Sequence, residues 1–137
     1  MSQTLLAFDF GTKSIGAAVG ETLLNTANEL APIKAKDGIP NWQDIEKLLQ
    51  EWKPHTVLVG LPLNMDGSDQ EITRRARKFA QRIHGRYGIN VELVDERLST
   101  REAKEIAAER GQRGNYAQQP VDSIAARLIL ESWWASN

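Results

Sequence analysis

The chain has 137 residues, with 17 Lys and Arg against 18 Asp and Glu, a net charge of −1, and no cysteine. That length suits one domain, 1–137, with a sizeable core, and the lack of cysteine excludes disulfides, thiolate metal sites and thiol nucleophiles. Near-neutral charge excludes a global positive field, so any polyanion partner needs a local patch; no apolar run matches a membrane span and no basic-then-apolar leader opens the sequence, so a cytoplasmic protein without membrane contact is expected.

Residues 5–10, LLAFDF, are apolar except for Asp9. A strand apolar on both faces predicts a central strand of a covered sheet. Period two sets Leu5, Ala7 and Asp9 on one face and Leu6, Phe8 and Phe10 on the other. Residues 11–13 predict a tight turn, with Gly11 free to take positive φ. Ile15, Ala17 and Val19 then alternate with Gly16, Ala18 and Gly20, and that small face leaves room for another backbone or a phosphodiester. Asp9 is readable as a strand-end residue bonded to turn amides or as a chemical group, and the stretch alone does not choose.

Residues 30–33 predict a third strand, with Pro32 marking an edge, and 36–40 a loop. Asn41 with Asp44 reads as a capping box, opening a helix whose buried stripe is Trp42, Ile45, Leu48, Leu49 and Trp52. Pro54 ends it. Residues 56–60, TVLVG, predict a strand parallel to the first, because a helix crossover precedes it. The polar loop 61–69 then leaves the carboxyl end of that strand, where α/β sheets bind ligands, although Asp66-Gly67 reads first as a turn pair.

The next helix has an inner face of Ile72, Ala76, Phe79, Ile83 and Tyr87. Its remaining surface carries Arg74, Arg75, Arg77, Lys78, Arg82 and Arg86, with no acidic residue between 72 and 91. Such a run reads first as a solvated face and second as a patch facing phosphates. Residues 89–94 predict the last strand, followed by Asp95, Glu96 and Arg97. Ser99 and Glu102 predict another capping box, 109–119 a loop, and Pro120 the first turn of a final helix with Val121, Ile124, Ala125, Leu128 and Ser132 inward. Asp122 in that first turn suits the helix dipole. Trp133 and Trp134 read as packing residues or a contact surface. The expected architecture is α/β: a mixed five-stranded sheet with helices on both faces.

If the last strand runs parallel to the first, Asp9 and Glu96 meet at one sheet edge and the final helix brings Asp122 to them. Converging carboxylates raise one another's pKa, and divalent cations relieve that cost. Mg²⁺ and Mn²⁺ prefer oxygen ligands and keep positions for phosphate and water. Two such ions about 3.5–4 Å apart serve phosphodiester hydrolysis. His55 and His84 are isolated and offer no zinc site.

Residues 8–16 (FDFGTKSIG), 60–67 (GLPLNMDG), 94–100 (VDERLST) and 121–126 (VDSIAA) together resemble the YqgF family, over nearly the whole chain. The resemblance implies an RNase H-like fold and a nuclease, described as Holliday junction resolvase-like and as a processor of pre-16S rRNA. It implies Asp9, Glu96 and Asp122 as metal-binding catalytic residues, with Mg²⁺ or Mn²⁺, and places Lys13 and Arg97 near phosphates. Period two lets only one of Asp95 and Glu96 face Asp9. The loop before the last helix offers only Arg110 and Arg113, so substrate grip passes to Arg74, Arg75, Lys78 and Arg82. The expected partner is nucleic acid, rRNA precursor or branched DNA, bound by a monomer or weak homodimer. Two other classes remain: an actin-like phosphotransferase, for which 137 residues leave no room for a second domain, and a non-catalytic RNA- or ribosome-associated binding protein.

Overall fold

The computed structural model describes residues 2–96 and 121–136, and the side chains of all of these except Val121, Asp122 and Ser136. Arg97, the capping box of Ser99 and Glu102, the loop 109–119 and Pro120 lie outside the described residues. In chain order the elements are β1 (Thr4–Asp9), β2 (Ser14–Glu21), β3 (Asn28–Lys36), β4 (Ile39–Pro40), α1 (Trp42–Trp52), β5 (Thr56–Leu61), α2 (Glu71–Tyr87), β6 (Asn90–Asp95) and α3 (Val121–Ser136).

The sheet has six described strands in the order β4-β3-β2-β1-β5-β6. β1 pairs antiparallel with β2 and parallel with β5, and β5 pairs parallel with β6. The meander and the helix crossovers are as expected. The sixth strand corrects the expected five: Ile39–Pro40 folds back on Ala35 and Lys36 through a tight turn at Asp37 and Gly38. The third strand is also longer than 30–33. Pro32 falls where β3 pairs with β2 alone, an edge as expected, and it also marks a bulge. Ile15 pairs with Ile33 but Ala17 with Leu30, so β3 carries one extra residue there. A residue lacking N–H is tolerated where the ladder is already interrupted.

Period two along β1 works as expected. Leu6, Phe8 and Phe10 join Ile45 of α1 and Ala76, Phe79 and Ile83 of α2 in one core. Leu5 and Ala7 join Ala126, Ile129 and Leu130 of α3 in the other. Helices therefore cover both faces. Burying side chains such as Phe8, Leu5 and Leu6 contributes on the order of 1.5–3 kcal/mol each.

Four local expectations change. Gly11 does not take positive φ; it is small because a Cβ there would stand 2.4 Å from the Ser14 carbonyl oxygen. The small face of β2 is covered by α3 at Ala18 and Gly20, where a Cβ on Gly20 would meet the Thr26 carbonyl and the Trp134 ring. Ile124 and Ala125 of α3 are buried as expected, but the stripe continues through Ala126, Ile129, Leu130 and Trp133, while Ser132 is exposed and Leu128 half-buried. Residues 123–126 are all buried, so the start of this helix is buried all round and its periodicity selects no face there. Asn41 caps α1 by accepting from the Gln43 N–H at 3.1 Å, without the reciprocal bond of a capping box from Asp44.

Candidate active site

Asp9 is the last residue of β1 and pairs with Gly16 of β2. It is 9% exposed and shares the face of Leu5 and Ala7, beneath α3. Phe8 pairs with Val59 of β5. The next step along both strands sets Asp9 beside Gly60, about 5 Å away at ordinary strand spacing.

Glu96 reaches the same place from β6. Gly60 pairs with Val94, and Val94 packs against the α3-side core. Two residues on, Glu96 falls on that same face, and its N–H donates to the Leu61 carbonyl at 3.1 Å, continuing the pairing. The Glu96 side chain is 6% exposed and Asp95 is exposed, so alternation turns Glu96, not Asp95, toward the face of Asp9. A Cβ on Gly60 would stand 2.6 Å from Glu96 Oε2 and 2.5 Å from the Ile129 methyl. The carboxyl group therefore lies directly over Gly60, one strand from Asp9. No sequence signal short of the parallel register points to Gly60.

Asp122 is the second residue of α3, and its backbone position is held by its neighbour. Ser123 is buried; its hydroxyl donates to the Leu30 carbonyl at 2.7 Å and lies 3.5 Å from the Ala17 nitrogen as acceptor. Those backbone groups belong to the Ala17–Leu30 pair that borders the β2–β3 bulge. One hydroxyl thus pins the start of α3 to the sheet. A serine opening the apolar run 124–126 is the signal that could have found it. Among the described side chains, no three His, Asp or Glu residues gather as a ligand cluster. Two buried carboxylates on one face form an all-oxygen donor set that fits a hard divalent cation.

The cations divide between the two sides of the sheet. Lys13 is exposed in the β1–β2 turn. Lys34 and Lys36 are exposed too; because Ile33 and Ala35 pack into the α1/α2 core, strand parity sets both lysines on the face of Asp9. The alternation in IKAK was the available clue. Arg74, Arg75, Lys78 and Arg82 belong to α2, on the opposite side. Among the described residues three arginines of that helix have partners. Arg77 donates to both carboxylate oxygens of Asp69 at 3.0 and 3.1 Å. Arg75 donates to the Asp37 carbonyl and approaches its carboxylate at 3.4 Å. The Arg86 guanidinium stacks 4.1 Å over the Trp42 ring.

The loop after β5 is braced. Asp66 Oδ1 accepts from the Ser68 N–H and hydroxyl at 2.9 and 2.6 Å, and Gly67 has φ of 90°, so Asp66-Gly67 is the turn pair expected. Thr73 and Gln70 both donate to the Pro62 carbonyl, at 2.7 and 2.9 Å. The Arg77 hydrogen bonds hold the Asp69 carboxyl below its ordinary pKa. The loop is thereby tied to α2 at both ends.

A family model described as "RuvX: Holliday junction resolvase" matches residues 3–136. A protein of Saccharophagus degradans named "Putative pre-16S rRNA nuclease" is 70% identical, over 99% of this chain and 96% of its own length. One of Histophilus somni with the same name is 58% identical, over 100% and 97%. Among solved structures, the Fowlpox virus resolvase in complex with Holliday junction DNA superposes with a TM-score of 0.59 at 16% identity, over 97% of both chains. Thermus thermophilus RuvC with a Holliday junction substrate gives 0.58 at 17%, over 97% of this chain and 94% of that one.

Proposed function

The chain belongs to the RuvX family, described as Holliday junction resolvases, and from that premise we propose that it is a metal-dependent endonuclease hydrolysing phosphodiesters at the ends of pre-16S rRNA. The relatives' names support the substrate. The observation that carries the chemistry is the seat of the Glu96 carboxyl over Gly60, one strand from Asp9.

Asp9, Glu96 and Asp122 are the proposed ligands and catalytic residues. Asp9 and Glu96 stand on β1 and beside β6, so the sheet fixes their separation before substrate arrives. Bound as a pair, Mg²⁺ or Mn²⁺ ions supply activation of the attacking water and stabilisation of the leaving oxygen. The two carboxylates repel on one buried face when unliganded, and that repulsion favours cation uptake. Lys13 and Arg97 hold the scissile phosphate, while Arg74, Arg75, Lys78 and Arg82 of α2 hold the substrate elsewhere. Among the described residues no helix is long and apolar enough to cross a membrane; action in the cytoplasm, within a single domain, is part of the proposal. Branched DNA is the second reading, favoured by the family description.

The test is incubation of wild type and Asp9→Asn with labelled rRNA precursor and with four-way DNA junctions, in Mn²⁺ and in chelator. Metal-dependent cleavage of the precursor by wild type, lost in the variant by about three orders of magnitude, is expected, on the scale of other preorganised electrostatic groups. Undiminished cleavage by the variant rejects the assignment.

A further inference from the structure

Asp9 and Phe10 are consecutive but face opposite sides of the sheet. Asp9 lies with the α3-side residues, whereas Phe10 packs on Phe79 of α2 at a centroid distance of 5.4 Å. Phe10 is also the floor of a cavity of about 260 Å³ between α2 and the β3–β4 turn. Arg75, Lys78 and Arg82 line it. They sit at i, i+3 and i+7, one face of α2. Among the described residues neither Lys78 nor Arg82 has a carboxylate within ion-pair distance.

The turn that closes the cavity is built around one cation. Gly38 has φ of 79°, and a Cβ there would stand 2.6 Å from Arg75 Nη2 and 3.0 Å from the Phe10 ring. The Gly38 N–H donates to the Thr12 carbonyl at 2.8 Å, and the Ala35 N–H to the Lys13 carbonyl at 3.0 Å. The β1–β2 turn at the carboxylate edge is thus bonded to the turn that walls the cavity.

We propose that this cavity is a second anion subsite, taking a backbone phosphate of the RNA strand paired with the strand being cut. The proposal rests on the nuclease reading above. Lys78 and Arg82 face a concave surface beside Arg75, which the Asp37 carboxylate already approaches at 3.4 Å, and Arg guanidinium and Lys ammonium groups are the natural donors to phosphate. The carboxylates and the cavity lie on opposite faces of one sheet, at the end where the β1–β2 turn is bonded to the β3–β4 turn. A strand lying on Asp9 and its partner lying on Arg82 straddle the sheet edge together, so the domain selects paired RNA over a lone strand.

The test is binding, measured in chelator so that nothing is cut. The probes are a fluorescent precursor stem carrying the cleavage site and an unpaired strand of equal length. Wild type binds the stem at least tenfold more tightly. Lys78→Gln/Arg82→Gln erases that preference, lowers the salt dependence of stem binding by about two counterions, and leaves the unpaired strand bound within twofold. Both residues are exposed helix positions, so the fold survives; an unchanged circular dichroism melt verifies this, and Lys47→Gln on α1 serves as a charge control with wild-type binding. Equal weakening of both probes, or of neither, overturns the proposal. Metal-dependent cleavage by a wild type showing no stem preference overturns the subsite and leaves the nuclease reading standing. Stem-selective binding without cleavage does the reverse.

Discussion

The carboxyl group of Glu96 occupies the space that a side chain on Gly60 would need: a Cβ at position 60 would lie 2.6 Å from Glu96 Oε2 and 2.7 Å from its Cδ. Both neighbours are constrained, since Ile129 closes the other side at 2.5 Å and the Glu96 backbone is tied to Leu61. Gly60→Ala therefore displaces the carboxylate rather than a free side-chain end. It is expected to cost about 1–3 kcal/mol in denaturant unfolding, as overpacking does, and to depress cleavage more than that loss of folded protein explains. Wild-type cleavage by a folded Gly60→Ala protein would separate Glu96 from the chemistry.

Ser123 offers a different handle on the same site, through helix placement. Its hydroxyl meets the Leu30 carbonyl and faces the Ala17 N–H at the β-bulge. Ser123→Ala leaves those buried backbone groups without that partner, at an expected cost of about 1–3 kcal/mol. Because Asp122 precedes it, metal affinity should fall as well. Ser123→Thr, which restores the hydroxyl, should recover part of both in calorimetric titration with Mn²⁺.

Metal binding should be visible without catalysis. A ligand that binds only the folded chain stabilises it by about 2.7 kcal/mol at a hundredfold excess over its Kd. Mn²⁺ is expected to raise the Tm of the wild type and to leave Asp9→Asn nearly unmoved. An equal rise in both would place the ion elsewhere.

The ion pair that braces the loop after β5 sets a pH dependence. Arg77 lowers the Asp69 pKa by hydrogen bonding to the folded carboxylate. A depressed folded pKa contributes stability above the unfolded value, and that contribution is lost as pH falls through the folded one. Acidification below about pH 4 should release the loop in the wild type. In Arg77→Ala the Asp69 resonance should titrate at an ordinary carboxylate pKa by NMR, with a flatter acid limb of the stability curve.

Much of this was legible in residues 5–20. Alternation in LLAFDF assigned the two faces of β1 correctly, because a central strand buries both and leaves Asp9 as the exception. The parallel register of the last strands followed from helix crossovers. What stayed hidden depended on distance in sequence. Gly16, Ala18 and Gly20 left room for a close neighbour, and nothing local said that α3 and Trp134 fill it at Ala18 and Gly20. The α3 stripe was assigned only in part, Ile124 and Ala125 rightly and Ser132 wrongly, because residues 123–126 are buried all round and hide the phase. The basic run of α2 gave its charge but not its side of the sheet, and three of its members proved to be engaged with Asp69, Asp37 and Trp42. Asp95 and Glu96 could not be separated until Val94 was seen packing beneath α3.

That separation supplies the most direct test. Single-turnover cleavage of end-labelled pre-16S rRNA in Mn²⁺ should be measured for wild type, Asp95→Asn and Glu96→Gln. Asp95→Asn is expected to cut within a few-fold of wild type, and Glu96→Gln to lose about three orders of magnitude, the scale of a lost electrostatic group. Loss of cleavage in Asp95→Asn with activity retained in Glu96→Gln would contradict the site as built here.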